Sequence, residues 1–241
     1  MKLEVLRDAE TVAAHAAAII AENARAAYQT RGLFLIAVSG GHTPWVMLRT
    51  LAREEIPWAP VHVFQVHERI VPAGDADGNL THLRESLLEN APLDPAHIYP
   101  MPVESPDLPA AAAEYAMTIQ KVAGSHAVLD LVHLGLGPDG HTASFVPGDP
   151  ILQLVDSDIG VTGLYQGRKR MTRTCPVINR ARQILWVVTG TEKVKPLGQL
   201  LDADYSISGG RIRRDNALIL ADEAAIGTNN RKEINEVGRC D

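Results

Sequence analysis

Cysteine is nearly absent: the 241 residues hold two, Cys175 and Cys240, which have no metal-ligand spacing and make no disulfide framework. Both read as free thiols, in keeping with a reducing compartment. Positive charge is also scarce. With 23 Lys and Arg against 29 Asp and Glu, the formal net charge is -6, and the broad basic face that a phosphate backbone requires is missing. Nucleic acid is therefore not the expected partner, whereas a small anion stays open wherever positive charge is concentrated locally. Long apolar runs are missing too, and Met1 to Asp8 carries no basic region followed by an apolar one. No membrane association is expected, and the expected location is cytoplasmic.

Several catalytic signatures are equally absent. There is no G-x-S-x-G elbow and no reactive-cysteine motif, which argues against a covalent acyl-enzyme. No H-x-x-x-H pair suggests a metal site. In the glycine-rich loop after residue 38, Ser39-Gly40-Gly41-His42-Thr43-Pro44, neither G-x-G-x-x-G nor the P-loop pattern fits, so a dinucleotide or nucleoside triphosphate is not indicated there.

What is present is a chain with 46% hydrophobic and 22% charged residues, long enough for a sizeable core. Apolar strand patterns alternate with helical ones, and no repeat or linker interrupts them. This predicts one α/β domain over residues 1–226, a three-layer α/β/α arrangement with a mostly parallel, doubly wound sheet, and a polar tail over 227–241. A long alanine-rich helix is expected over 8–31, capped by Asp8 and ended by Gly32.

Three strand-end loops carry polar residues. The apolar run 33–38 empties into Ser39-Gly40-Gly41-His42-Thr43-Pro44. Glycines permit a tight turn, Thr43 is placed to cap, and Pro44 suits the first helical position, which together describe an anion site at a helix N-terminus. A tight turn with no ligand would read the same way. The strand pattern 61–66 ends in His67-Glu68-Arg69, where Arg69 offers a fork of donors for an anion or a partner for a surface ion pair. His67, taken alone, reads as a base, an orienting group or a surface histidine. The run 128–134 leads to Gly135-Leu136-Gly137-Pro138-Asp139-Gly140-His141-Thr142-Ala143-Ser144, at the carboxyl end of a strand, where an open α/β sheet presents reactive groups. His141 can accept a proton from water at neutral pH, with Asp139 to orient it.

The densest positive charge is Arg168-Lys169-Arg170 with Arg173. In an acidic chain it suggests a focused pocket for a phosphorylated or carboxylated metabolite, the alternative being a solvated basic turn. Lys193 falls in the first turn of a later helix, where a cation is unfavourable unless an anion is near.

Taken together, Ser39-Gly40-Gly41-x-Thr43-Pro44, Glu68-Arg69 with Val71-Pro72, the stretch from Gly135 to Ser144, Arg170-x-Thr172 with Pro176-x-x-Asn179, and Thr189-Gly190-x-x-Lys193 resemble the 6-phosphogluconolactonase family. The motifs keep the family's order over about residues 33–225. The resemblance implies the fold shared with glucosamine-6-phosphate deaminase and ribose-5-phosphate isomerase. It also implies hydrolysis of 6-phospho-D-glucono-1,5-lactone in the pentose phosphate pathway and no cofactor requirement; separately, no metal and a monomer or homodimer are expected. It assigns His141 as the general base, with Ser39, Gly40, Gly41, Thr43, Arg69, Lys169, Arg170 and Lys193 holding substrate or stabilising the oxyanion. The family usually reads Gly-Asp-Glu-Arg where this chain has Val66-His67-Glu68-Arg69, so His67 and Glu68 become positions that modulate activity or specificity. A deaminase of this fold would use an aspartate at position 67 and a glutamate near Val146, and both are missing. A sugar-phosphate-binding protein that has lost catalysis is the other alternative.

Overall fold

The computed structural model describes residues 1–227, so the polar tail expected over 227–241 lies, apart from Gly227, outside the described residues. The chain runs β1 (Lys2–Leu6), α1 (Ala9–Arg31), β2 (Phe34–Val38), α2 (His42–Leu51), β3 (Val61–Gln65), β4 (His67–Arg69), α3 (Asn79–Leu83) and β5 (Ile98–Tyr99). It continues through α4 (Leu108–Ala123), β6 (Leu131–Leu134), β7 (Ile159–Val161), β8 (Arg170–Arg173), α5 (Cys175–Arg180), β9 (Gln183–Val188), α6 (Val194–Leu201) and β10 (Ala217–Asp222). Seven strands form one sheet in the order β1-β10-β9-β6-β2-β3-β5. Every neighbouring pair in it is parallel.

Alternation along the strands builds a core on each face of this sheet. Phe34, Ile36 and Val38 point to one side, where α1 and α2 cover them, and Leu35 and Ala37 point to the other, toward α4. That is the expected three-layer α/β/α arrangement, and it follows from strands whose residues are buried on both faces. Helix α1 starts at Asp8, whose carboxylate accepts from Thr11 N at 2.8 Å, and ends at Gly32 with φ 75°. Its buried face is mostly alanine, including Ala13, Ala17, Ala21 and Ala24, so the helix can lie close against α2 and the sheet.

The sheet reverses its winding between β2 and β6. From β2 the chain moves outward through β3 to β5, and from β6 it moves the other way through β9 to β10, beyond which the first strand, β1, forms the edge. The carboxyl ends of β2 and β6 therefore frame a crevice, into which the loops starting at Ser39 and Gly135 open.

Sequence patterns missed a second sheet. The residues His67-Glu68-Arg69, expected as a loop, form β4, which pairs antiparallel with β8, and β8 pairs with β7. The basic segment expected to close over the sheet edge is thus partly a buried strand, in which Arg170 and Arg173 are interior. Strand β1 was not anticipated. Helix α3 loosens into a π-helical turn, Arg84–Leu88. Among the described residues, no helix is long and apolar enough to cross a membrane.

Candidate active site

A cleft of about 320 Å³ opens at the crevice. Its walls are the loops after β2, β6 and β9, together with His67.

The first wall starts where β2 ends. Ser39 N donates to His133 Nδ1 at 3.2 Å, and Ser39 Oγ donates to the His133 carbonyl at 3.0 Å. His133 is fully buried on the central strand, and burial pushes its pKa down to about 3. The neutral ring serves as an acceptor that fixes the start of the loop. Gly40 has to be glycine, because a Cβ there would collide with the Asn79 amide. The expected cap is corrected here: Gly41, at φ 135°, is the N-cap of α2 and no side chain caps the helix. Thr43 Oγ1 instead meets Thr189 Oγ1 at 2.7 Å, tying this loop to the one after β9. Pro44 is the third helical residue rather than the first. Ten residues of α2 nevertheless present their positive end to the cleft.

The second wall carries His141. Its Nδ1 lies 2.5 Å from Asp139 Oδ1, and its backbone N donates to the same oxygen at 3.1 Å. Asp139 Oδ2 accepts from Tyr165 OH at 3.0 Å. Burial alone would raise the Asp139 carboxyl, but the hydrogen bonds from His141 and Tyr165 and the histidine's charge outweigh it and hold it below the usual range. With Nδ1 donating to a carboxylate, the neutral imidazole keeps Nε2 as its acceptor. Gly137 makes room for the ring, since a Cβ there would strike His141 Nδ1. Ala143, two residues on, has φ 50°, an uncommon conformation for alanine that marks local strain.

Behind His67 stands a cationic wall whose two arginines do not themselves line the cleft. Register pairs Arg69 directly with Arg170, and like charges facing each other across a ladder repel unless an anion sits between or beside them. Arg69 Nη1 is held by the Asp77 carbonyl at 2.7 Å and Asn79 Oδ1 at 3.2 Å. The Arg170 guanidinium lies 4.7 Å over the Tyr165 ring. Burial, then the Arg69 charge, makes Arg170 easier to deprotonate than usual. His67 lines the cleft, and its pKa is driven down to about 3 by burial, then by His141, Arg69 and Arg170, against a hydrogen bond with the Ala143 backbone. Lys193 reaches the cleft with only 16% of its side chain exposed, 3.4 Å from Glu192.

Lys169 is off the cleft lining, as Arg69 and Arg170 are, but unlike Arg170 it is exposed, and it is not among the charges acting on His67. Glu68 is 2% exposed, and its carboxylate accepts from Gln65 Nε2, Arg69 N, Asn79 N and Leu80 N at 2.6–2.7 Å. It braces the backbone behind the cationic wall. Arg168 pairs with Asp77 at 2.7 Å.

Sequence reasoning missed Tyr165, Asn79 and His133. Tyr165 precedes Gln166-Gly167, a turn signal whose hairpin delivers the phenol, while nothing local marks the other two. No group of three or more potential ligands that could hold a metal ion occurs among the described residues.

A family model described as glucosamine-6-phosphate isomerases/6-phosphogluconolactonase matches residues 7–218. A 6-phosphogluconolactonase of Synechocystis is 36% identical over 203 residues, which cover 83% of this chain and 84% of that protein. The solved 6-phosphogluconolactonase from Trypanosoma cruzi superposes with a TM-score of 0.83 at 24% identity, over 93% of this chain and 95% of that one. A monomeric glucosamine-6-phosphate deaminase gives 0.82 at 18% identity, over 93% and 98% of the two chains, so the fold extends to deaminases as the resemblance implied. With most of its length matched by the family model and by a relative of this similarity, the chain belongs to the glucosamine-6-phosphate isomerase/6-phosphogluconolactonase family.

Proposed function

We propose that this protein hydrolyses 6-phospho-D-glucono-1,5-lactone to 6-phosphogluconate, as in the pentose phosphate pathway, with residues 1–226 acting as one sugar-phosphate-binding domain. The observation that carries the reading is His141, held at Nδ1 by Asp139 and left with Nε2 as acceptor, in a cleft lined by the loop 39–43 and Lys193, with Arg69 and Arg170 behind His67.

In this mechanism Nε2 takes a proton from water as its oxygen attacks the lactone carbonyl carbon. The carbon–oxygen double bond opens to an oxyanion. Collapse of the tetrahedral intermediate breaks the bond to the ring oxygen, which receives the proton back from His141, and the new acid ionises. Ser39, Gly40, Gly41, Thr43 and Lys193 on one side, and Arg69 and Arg170 on the other, hold the phosphate and stabilise the oxyanion. Lys169 is left out of this set by its position. His67, neutral beside these cations, modulates the pocket without adding charge.

The test is purified protein with freshly made lactone, followed by acid release. Wild type is expected to exceed the buffer blank clearly, and His141→Ala to lose about 10²- to 10⁴-fold in rate. His67→Asp reports whether the neutral ring slows or retunes the reaction. Hydrolysis no faster than the blank, with a phosphosugar still bound, would replace the enzyme reading with a binding protein.

A further inference from the structure

Tyr165 has no part in the catalytic set above, yet its placement is tightly determined. It opens the turn of the β7–β8 hairpin. Tyr165 N donates to the Arg168 carbonyl at 3.0 Å and Arg168 N returns a bond at 3.2 Å. The two residues between them, Gln166 and Gly167, have φ 51° and 74°. Positive φ at both central positions is the turn whose twist matches antiparallel strands, so the hairpin holds Tyr165 in one register.

From there the phenol reaches Asp139. An ionised carboxylate only accepts, so the hydroxyl is the donor, at 3.0 Å to Oδ2. The two carboxylate oxygens are thereby divided: Oδ1 serves His141 and Oδ2 serves Tyr165. The Tyr165 ring also stands edge-on to the His141 ring, with centroids 5.8 Å apart and planes at 65°. Its face lies under Arg170. One side chain therefore touches the acid, the histidine and the cationic wall.

We infer that Tyr165 is a positioning residue for the hydrolysis: it pins the Asp139 carboxylate in the orientation that holds His141 with Nδ1 protonated and Nε2 directed to water. The inference rests on the reading of His141 as the base. A donated hydrogen bond withdraws charge from Asp139 and weakens its pull on the histidine proton. Removing the hydroxyl leaves Asp139 freer to rotate and more basic. The charged and titratable groups facing this pair are Arg170, His67 next to His141, Arg69 behind them, and Lys193 with Glu192 across the cleft. Tyr165→Phe leaves all of them in place.

The experiment compares wild type, His141→Ala, Tyr165→Phe and Asp139→Asn, singly and with the last two combined, using kcat and KM from pH 5 to 8 on freshly made lactone. Tyr165→Phe is expected to lower kcat about tenfold with KM within about twofold, and to move the acidic limb upward by about half a pH unit. In the Asp139→Asn background it is expected to add nothing, because the acceptor is changed already. Nitrogen-15 shifts of His141 should report one tautomer in wild type and a mixture in Tyr165→Phe, a readout independent of turnover. An unchanged rate, pH profile and tautomer in Tyr165→Phe would overturn the inference while leaving the lactonase reading intact. Full activity in His141→Ala would overturn that reading first. Should Tyr165→Phe fold poorly, the tautomer in Asp139→Asn decides: a single, wild-type tautomer there also removes the basis of the inference.

Discussion

The seven-stranded sheet and the three-stranded sheet are made of different materials. Strands β2, β6 and β9 bury Phe34, Ile36, Leu131, Leu134, Leu185 and Trp186, and they contribute to the cleft mainly through the loops that leave them. The small sheet buries Glu68, Arg170, Thr172 and Arg173 within its strands, puts His67 on the cleft directly, and sets the two facing arginines beside it. The parallel sheet fixes where a substrate sits. The small sheet supplies much of the charge, at a desolvation cost that its hydrogen bonds must offset.

The contrast breaks most visibly at Glu68. Alanine there leaves three backbone N–H groups without their acceptor in the interior, at about 1–3 kcal/mol each. Urea unfolding of Glu68→Ala should show a loss of about 4 kcal/mol, and activity should fall with it because Arg69 and Asn79 lose their support.

His133 tests the parallel sheet. Its folded pKa of about 3 lies below the ordinary value of 6.5, so the unfolded chain binds the extra proton between the two. The stability tied to neutral His133 is complete above pH 6.5 and declines as pH falls toward 3, by about 1.4 kcal/mol per unit. Denaturation from pH 7 to 4.5 should show a slope that His133→Leu reduces by about that amount.

Asp130 separates scaffold from site. It is 4% exposed at the amino end of β6, accepts from Leu35 N at 2.9 Å, and pairs with Arg31 at 2.8 Å and Arg182 at 3.2 Å. Asp130→Asn should cost about 2 kcal/mol in denaturant while leaving kcat within twofold, since the cleft is at the opposite edge. Any large drop in kcat would mean the two edges are coupled.

The smallest expected change has the opposite sign. Arg173 has no exposed surface; its Nε donates to the Gln65 carbonyl at 3.0 Å, and neither terminal nitrogen has a hydrogen-bond partner among the described residues. Arg173→Met should raise stability by about 1 kcal/mol, seen as a higher Tm. A lower Tm would show that this charge is better compensated than its neighbours indicate.

These differences explain what could be read from the chain. Apolar runs such as Phe34 to Val38 and Ile184 to Val188 carry their own signal, so the parallel sheet, α1 and the loops holding Ser39 and His141 were legible. The small sheet was not: β4 and β8 read as polar loops because their charges are satisfied by residues distant in sequence, as Glu68 is by Asn79 and Leu80. Tertiary pairing overrides local pattern there. Lys169 and Arg170 look alike in sequence, but Arg170 opens β8, whose four residues are all buried, while Lys169 lies just before the strand and is exposed. His133 reads as one more residue of an apolar strand, and only the packing shows that it holds Ser39.

Strand β1 pairs with β10 in the register Lys2 with Leu218 through Leu6 with Asp222. Strand β1 therefore leaves the ribosome long before its partner β10, the last strand among the described residues. Asp222, at the end of β10, also accepts from Gly190 N at 3.0 Å and Ala225 N at 2.8 Å, setting the loop that leads to Lys193. During synthesis both the sheet edge and one wall of the cleft stay unfinished until residue 222 emerges. Such long-range closure slows folding and leaves nascent strand edges open to wrong partners until it is made.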